Sequence, residues 1–204
     1  QILKKGVSAP LTFLKRRNAK GTLTRLVSHK NPKLRAIGVA LQEALDNNLS
    51  LQEQQAVSLI EERRSFLLNS DKEIAIVDYG AGSSSSKRTK EEMERGIKST
   101  ALVSKIATAS KPKFWAIVLF KIIRELEPLS CVELGTCVGI SASYQATALN
   151  MNGEGAIVTL EGSDEIAEIA KETFENLDVE NASVVTGPFH ETLTGVCESS
   201  KPID

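Results

Sequence analysis

The eleven residues from Cys131 to Ser141, C-V-E-L-G-T-C-V-G-I-S, constrain this chain more than any other stretch. Cys131, Val132 and Leu134 read as a short buried strand that ends in an acid, Glu133, and a glycine turn. A helix opens at Ser141 and continues through Ala142, Tyr144, Ala146, Ala148 and Leu149. Glycines at 135 and 139 allow a tight turn and a close ligand approach, and the helix N-terminus behind them offers N–H groups and the positive end of a dipole. A second strand, Ala156 to Leu160, ends at Glu161, about 20 residues past the turn, where a carboxylate can take both hydroxyls of a ribose. Strand, turn, helix, strand and terminal acid predict an α/β chain with a Rossmann-like, doubly wound parallel sheet that cradles a nucleoside-containing cofactor.

Three segments, V-E-L-G-T-C-V-G-I-S, T-L-E-G-S and V-V-T-G-P-F-H-E-T-L, resemble the first three strand-end motifs of class I S-adenosylmethionine-dependent methyltransferases, nearest to the catechol O-methyltransferase-like branch. The resemblance spans Lys111 to Asp204 and fades toward the N-terminus. It implies that Glu133, Gly135, Thr136, Gly139 and Ser141 hold the methionine end of S-adenosylmethionine. Glu161 and Gly162 would then hold its ribose, and the loop after Gly187, with Phe189 and His190, would lie beside its adenine. Pro188 stands where the family often carries a polar residue, so the adenine contact falls to Phe189, His190 or backbone groups. The resemblance also implies O-methyl transfer to a small-molecule acceptor. Its catalytic base, or the ligands of a divalent metal, would lie beyond Asp204, so no catalytic residue is assigned within the chain.

Two other readings stay open. An NAD-dependent oxidoreductase uses the same strand, turn, helix and ribose acid, although G-T-C-V-G lacks the closely spaced glycine pair of G-x-G-x-x-G that admits a pyrophosphate. The other is a non-catalytic or RNA-associated module working through its N-terminal arm, where Gln1 to Arg35 carries ten Lys and Arg residues and no acid. Such an arm suits nucleic acid, anionic lipid or an acidic partner, and its acid-poor makeup also fits a transit peptide; a solvated, partly helical extension is the simpler account. The whole-chain net charge of -1 gives no general attraction to nucleic acid.

Cys131, Cys137 and Cys197 lack C-x-x-C spacing, which argues against a disulfide framework or a zinc site and makes a reducing cytoplasm the simplest home. The apolar run Phe114 to Ile123 is broken by Lys121 and is too short to span a bilayer. No G-x-S-x-G elbow or H-E-x-x-H pair suggests nucleophilic or metal chemistry, and no metal ligand is assigned. Homo-oligomerisation is left open. The chain opens on Gln1, and Lys201 to Asp204 reads as the entry to a fourth strand, so the sequence is expected to be a fragment with an incomplete sheet. Residues 1–72 are expected to form a basic, helical extension, and 73–204 a cofactor-binding domain truncated at its C-terminus.

Within the extension, Asn31-Pro32 predicts a helix start and Leu45 its end. Ser50 to Glu53 forms a capping box ahead of a second helix, with Ala56, Leu59, Ile60 and Leu67 on its apolar face. These two helices are expected to pair as an α-hairpin, with Arg63 and Arg64 solvated. Glu73 to Asp78 predicts a strand running into D-Y-G-A-G and four serines. That stretch, Gly80 to Thr89, is expected to be a mobile loop, and as a lid it would bring Asp78 and Tyr79 to the substrate. Thr89 caps a helix expected to carry Met93, Ile97, Leu102 and Ile106. Ser110 to Pro112 precedes a helix from Lys113 to Leu126, with Trp115, Val118, Leu119, Ile122 and Leu126 facing the core. Ser163 is expected to cap the helix after Glu161, and Ala182 to Val185 to form a third strand. By topology, Glu133, Glu161 and Gly187 should then converge at one rim of the sheet.

Overall fold

A computed structural model describes residues 21–80, 82–83, 86–200 and 202–203. The basic arm up to residue 20 lies outside them. In chain order the elements are α1 (Pro32–Asp46), α2 (Leu51–Leu68), β1 (Glu73–Asp78), β2 (Gly82–Ser83), β3 (Ser86–Lys87), α3 (Lys90–Arg95), β4 (Ile97–Leu102), α4 (Val103–Ala107) and α5 (Lys113–Leu126). They continue as β5 (Ser130–Leu134), α6 (Ile140–Asn152), β6 (Ala156–Glu161), α7 (Asp164–Asn176), β7 (Ala182–Thr186) and α8 (Phe189–Ser199). Residues 21–27 are also helical.

Strands β5, β6 and β7 pair in parallel in that order, with Leu134 opposite Leu160 and Glu161 opposite Thr186. Helices α6 and α7 make the crossovers. This is the expected α/β, Rossmann-like arrangement, and its register opens the turns after all three strands at one end. The small residues of α6 explain how closely it sits in the core: Ala142, Ala146 and Ala148 are fully buried, as is Tyr144. The Tyr144 hydroxyl donates to Glu61 Oε1 at 2.9 Å, so its polar tip is satisfied, and its ring meets Phe120 edge-on. Burial and the neighbouring Glu61 carboxylate push the Tyr144 pKa far up.

Local signals set the helix ends. Asn31 Oδ1 accepts from the Lys33 and Leu34 N–H groups at 2.9 and 3.3 Å, and Asn47 closes α1 in the left-handed region. Both capping boxes are present, Ser50 with Glu53 on α2 and Thr89 with Glu92 on α3.

The chain departs from several expectations. α1 packs on α5, while α2 packs on α4 and α6, so the two do not form a hairpin cap. Leu59 is 56% exposed, and the buried face of α2 runs through Glu53, Val57, Ile60 and Leu67. Arg63 and Arg64 are largely buried: Arg63 Nε donates to Thr173 Oγ1 at 3.2 Å, and Arg64 pairs with Glu61 at 3.0 Å. Ile97 to Leu102 is a strand, because Gly96 takes a positive φ of 72° and ends α3 after six residues. The segment then pairs antiparallel with β1, Asp78 opposite Ile97. Part of the expected lid loop pairs as β2 with β3, while residues 81, 84 and 85 lie outside the described set. Residues 202–203 are not in a strand.

Trp115 is 55% exposed rather than in the core. The buried face of α5 runs through Ala116, Ile117, Val118, Phe120, Lys121 and Ile123, so Val118 is buried as expected. Leu119, Ile122 and Leu126 are partly buried, and the face includes Lys121, which a purely apolar stripe leaves out. Lys121 is admitted because Glu43 and Glu53 meet its ammonium at 2.9 and 2.8 Å.

Candidate functional site

The turn after β5 is held by the sheet itself. The N–H groups of Gly135 and Thr136 both donate to the Leu160 carbonyl, at 2.9 and 3.1 Å, and the Thr136 hydroxyl meets that of Thr159 at 2.8 Å. These two amides are therefore spent on fixing the turn and not left for a ligand. Gly135 has a φ of 88°, and a Cβ there would meet nothing within 4 Å, so its backbone faces open space. Gly139 differs. It is the N-cap of α6, which begins one residue before Ser141, and a Cβ on it would lie 3.2 Å from Ala170 and 3.1 Å from Phe174 on α7. Its small size serves helix packing.

The strand tips are stitched together. Glu133 Oε1 accepts from the Ser141 hydroxyl at 2.6 Å and its Oε2 from Thr159 at 3.3 Å. Glu161 Oε2 accepts from the Cys137 N–H at 2.9 Å and its Oε1 from the Ser163 N–H at 3.2 Å. Gly187 N–H donates to the Glu161 carbonyl at 2.9 Å. Glu133, Glu161 and Gly187 are thus at one rim. Burial pushes the carboxyls of Glu133 and Glu161 above the usual carboxylate range, because their partners are neutral hydroxyls and amides that only partly replace water. Burial also pushes the Cys137 thiol up, so this residue is no activated nucleophile.

Two cavities adjoin the rim, and Ala109 lines both. The small one, about 140 Å³, is walled by Glu133, Gly135, Thr136 and Ser141, with Ser110 and Lys111 opposite. The large cleft, about 730 Å³, is walled by Glu161, Gly162, Phe189 and His190 on the sheet side and by Ile76 and Tyr79 on the other. Phe189 and His190 lie in the first turn of α8 instead of a loop, because Pro188 takes the N-cap position. His190 Nε2 is 3.6 Å from Glu191 Oε1 at the exposed rim. Gly187 has a φ of 135°, and a Cβ there would fall 2.9 Å from Thr192.

Sequence reasoning missed Ser110 and Lys111 as part of this site. The Ser110 hydroxyl is buried against the Cys137 thiol and makes no other hydrogen bond. Nothing in the spacing links residue 110 to residue 133; only the fold brings them together. Ser163 takes the N-cap position of α7, as expected, but not through its side chain. Its hydroxyl makes no cap bond to α7 and accepts instead from the Val77 N–H at 3.2 Å. Among the described residues, no group of three or more His, Cys, Asp or Glu side chains gathers as a metal site, and no helix is long and apolar enough to cross a membrane.

No protein-family profile matches the chain, and no curated protein is significantly similar to it. Partial likeness to solved structures is found. An O-methyltransferase from Bacillus cereus in complex with SAH is 25% identical over 50% of this chain and 46% of its own length, with a TM-score of 0.45. The SAH-bound methyltransferase PaMTH1 of Podospora anserina is 23% identical over 44% of this chain and 38% of its own, with a TM-score of 0.42. The O-methyltransferase TomG of Streptomyces achromogenes, in complex with SAM, is 22% identical over 43% and 39%, with a TM-score of 0.41. The chain therefore spans less than half the length of each of these three proteins.

Proposed function

We propose that residues 73–204 are the cofactor-binding domain of an S-adenosylmethionine-dependent methyltransferase that acts by O-methyl transfer on a small-molecule acceptor, with residues 1–72 as an extension. The observation that supports this reading is the pairing of two cavities with two buried carboxylates. Glu133 borders a small polar pocket suited to an amino-acid end, and Glu161 borders a larger, mainly apolar cleft suited to a nucleoside. Each carboxylate is held only by neutral donors, so each retains acceptor capacity that an ammonium or a ribose diol would use.

S-adenosylmethionine, when bound, supplies a methyl group already activated on a sulfonium. The chain's own task is then alignment and exclusion of water. Glu133 and Ser141 hold the amino-acid end in the small pocket, with Gly135 and Thr136 shaping its floor. Glu161, fixed by the Cys137 and Ser163 amides, takes the ribose. Phe189 and His190 border the base. Calorimetry tests the reading directly: the protein is expected to bind S-adenosylhomocysteine and not NAD, and NAD binding without S-adenosylhomocysteine binding would overturn it.

A further inference from the structure

The segment D-Y-G-A-G after β1 has no part in the strand-tip motifs, yet the fold brings its tyrosine to the nucleoside side of the site. Tyr79 is half-buried and lines the large cleft together with Glu161, Gly162 and Phe189. Its ring is keyed between two glycines. A Cβ at Gly162 would fall 2.7 Å from Tyr79 Cδ2, and a Cβ at Gly96 would fall 2.8 Å from Tyr79 Cε1. One edge of the ring is thus held by the residue that follows Glu161, and the other by the residue that precedes β4. The ring occupies the space that a side chain at 162 would otherwise fill, and with both edges held, a ring face is what remains for the cleft.

The strand that carries Tyr79 is fastened to the same loop. The outward N–H groups of β1 donate to the first turn of α7, Val77 to Ser163 Oγ and Ala75 to Glu165 Oε2, both at 3.2 Å. The turn after Tyr79 is closed by Arg88, whose Nη2 donates to Asp78 Oδ2 at 2.8 Å and whose Nη1 donates to the Asp78 and Gly80 carbonyls at 3.1 and 2.9 Å. Asp78 Oδ1 in turn accepts from the Gly80 N–H at 2.8 Å. An aromatic side chain held this firmly loses little entropy on meeting a flat ligand.

We propose that Tyr79 is the nucleobase platform of the cleft, stacking on the purine of the bound nucleoside while Glu161, next to Gly162, takes the ribose. This rests on the adenosyl reading above and adds to it a recognition residue from the antiparallel hairpin rather than from the parallel sheet. At Gly162 the ring alone accounts for the missing side chain, whereas Gly96 is also required by its φ of 72° and by Val77, whose Cγ1 lies 2.5 Å from where a Cβ would stand.

The test uses calorimetry on the parent protein, Tyr79→Phe and Tyr79→Leu, each with S-adenosylhomocysteine and with S-ribosylhomocysteine, which lacks the purine. The parent is expected to bind S-adenosylhomocysteine; if it does not, the adenosyl reading itself falls. Given that binding, Tyr79→Phe should retain it and Tyr79→Leu should lose roughly 5- to 150-fold, the range for one aromatic–base stack. S-ribosylhomocysteine affinity should be the same in all three proteins. Equal losses for both ligands in Tyr79→Leu would make Tyr79 a hairpin anchor and overturn the proposal, as would no loss for either. Should Tyr79→Leu not fold, NMR on the parent decides. The chain has only two tyrosines and Tyr144 is fully buried in the core, so nuclear Overhauser contacts from the purine H2 or H8 to a tyrosine ring report Tyr79. Their absence in the saturated complex overturns the proposal.

Discussion

Two sets of buried glutamates show opposite electrostatics. Glu53, with a side chain 8% exposed, accepts from Lys121 at 2.8 Å and lies 3.5 Å from Arg124. It also closes the capping box of α2 by accepting from the Ser50 N–H at 2.8 Å. Burial would raise its pKa, but the Lys121 hydrogen bond and the added charges win, and it is lowered. Lys121 is likewise raised, since its bonds to Glu53 and Glu43 outweigh burial. Glu133 and Glu161 have comparable hydrogen-bond counts but no cationic partner at hydrogen-bonding distance, and burial raises both. The lesson is that the buried acid of the α1–α2–α5 junction is matched by cations, whereas the strand-tip acids are not. An incompletely matched pair of acids beside two cavities is what a ligand carrying donors would complete.

The largest expected effect lies at the matched junction. Lys121→Met keeps the volume but strands Glu53 without its main partner, and should cost about 3 to 5 kcal/mol in urea unfolding. A loss below about 1 kcal/mol would mean that Arg124 alone can carry Glu53, and the contrast between the two regions would then be one of degree.

At the incomplete site, Glu161→Ala should weaken S-adenosylhomocysteine by about 1 to 3 kcal/mol, roughly 5- to 150-fold, because charge-assisted bonds to the ribose are lost. Asp164→Ala, one turn away and exposed, should leave affinity unchanged and trim only the favourable acid at the start of α7. If Glu161→Ala binds as the parent does, the second strand tip is not the ribose site.

The pH dependence of that binding follows from the direction of the shifts. Both carboxyls are raised above 4.5, so they begin to protonate while ordinary carboxylates are still ionised. Affinity for S-adenosylhomocysteine should therefore climb with pH across a window starting above 4.5. A flat profile would show that the ligand does not use the ionised carboxylates.

The parallel unit was largely legible in the sequence, and the contrast between the regions explains why. Strand β5, the glycine turn, α6, β6 and Glu161 are contiguous, and their periodicity and punctuation are local signals. The caps at Asn31, Ser50 and Thr89 are local too. What was missed depends on partners distant in sequence. Ile97 to Leu102 has apolar spacing that fits a helix until β1, 19 to 29 residues earlier, pairs with it. Lys121 looked like an interruption because its acids lie on α1 and α2. Ser110 reaches the site, and the Ser163 hydroxyl accepts from the Val77 N–H, only through tertiary contacts. The positions of Glu133 and Glu161 at strand tips were readable, but not that Glu161 would already hold two backbone amides.

The smallest expected effect is the sharpest test of incompleteness. Glu133 has a folded-state pKa above its unfolded one, so the folded chain holds that proton longer. The stability it contributes is present below the unfolded pKa and is lost as pH rises through the folded pKa. Above the folded pKa the ionised carboxylate is then a net cost to the ligand-free protein, offset in part by hydrogen bonds from Ser141, Thr159 and Gln145 and by the Lys111 charge. Glu133→Gln keeps the shape and an acceptor for Ser141, and its amide can donate to the Thr159 oxygen. It should stabilise the ligand-free protein by up to about 1 kcal/mol at pH 7, within the range for relieving a partly compensated buried charge, and by nothing near pH 4, where the parent carboxyl is protonated. The same substitution at Glu53, whose pKa is lowered, should have the opposite sign at pH 7. Chemical denaturation of both variants at the two pH values checks this, and a Glu133→Gln protein less stable than the parent at pH 7 would mean that the strand-tip acids are as fully matched as Glu53.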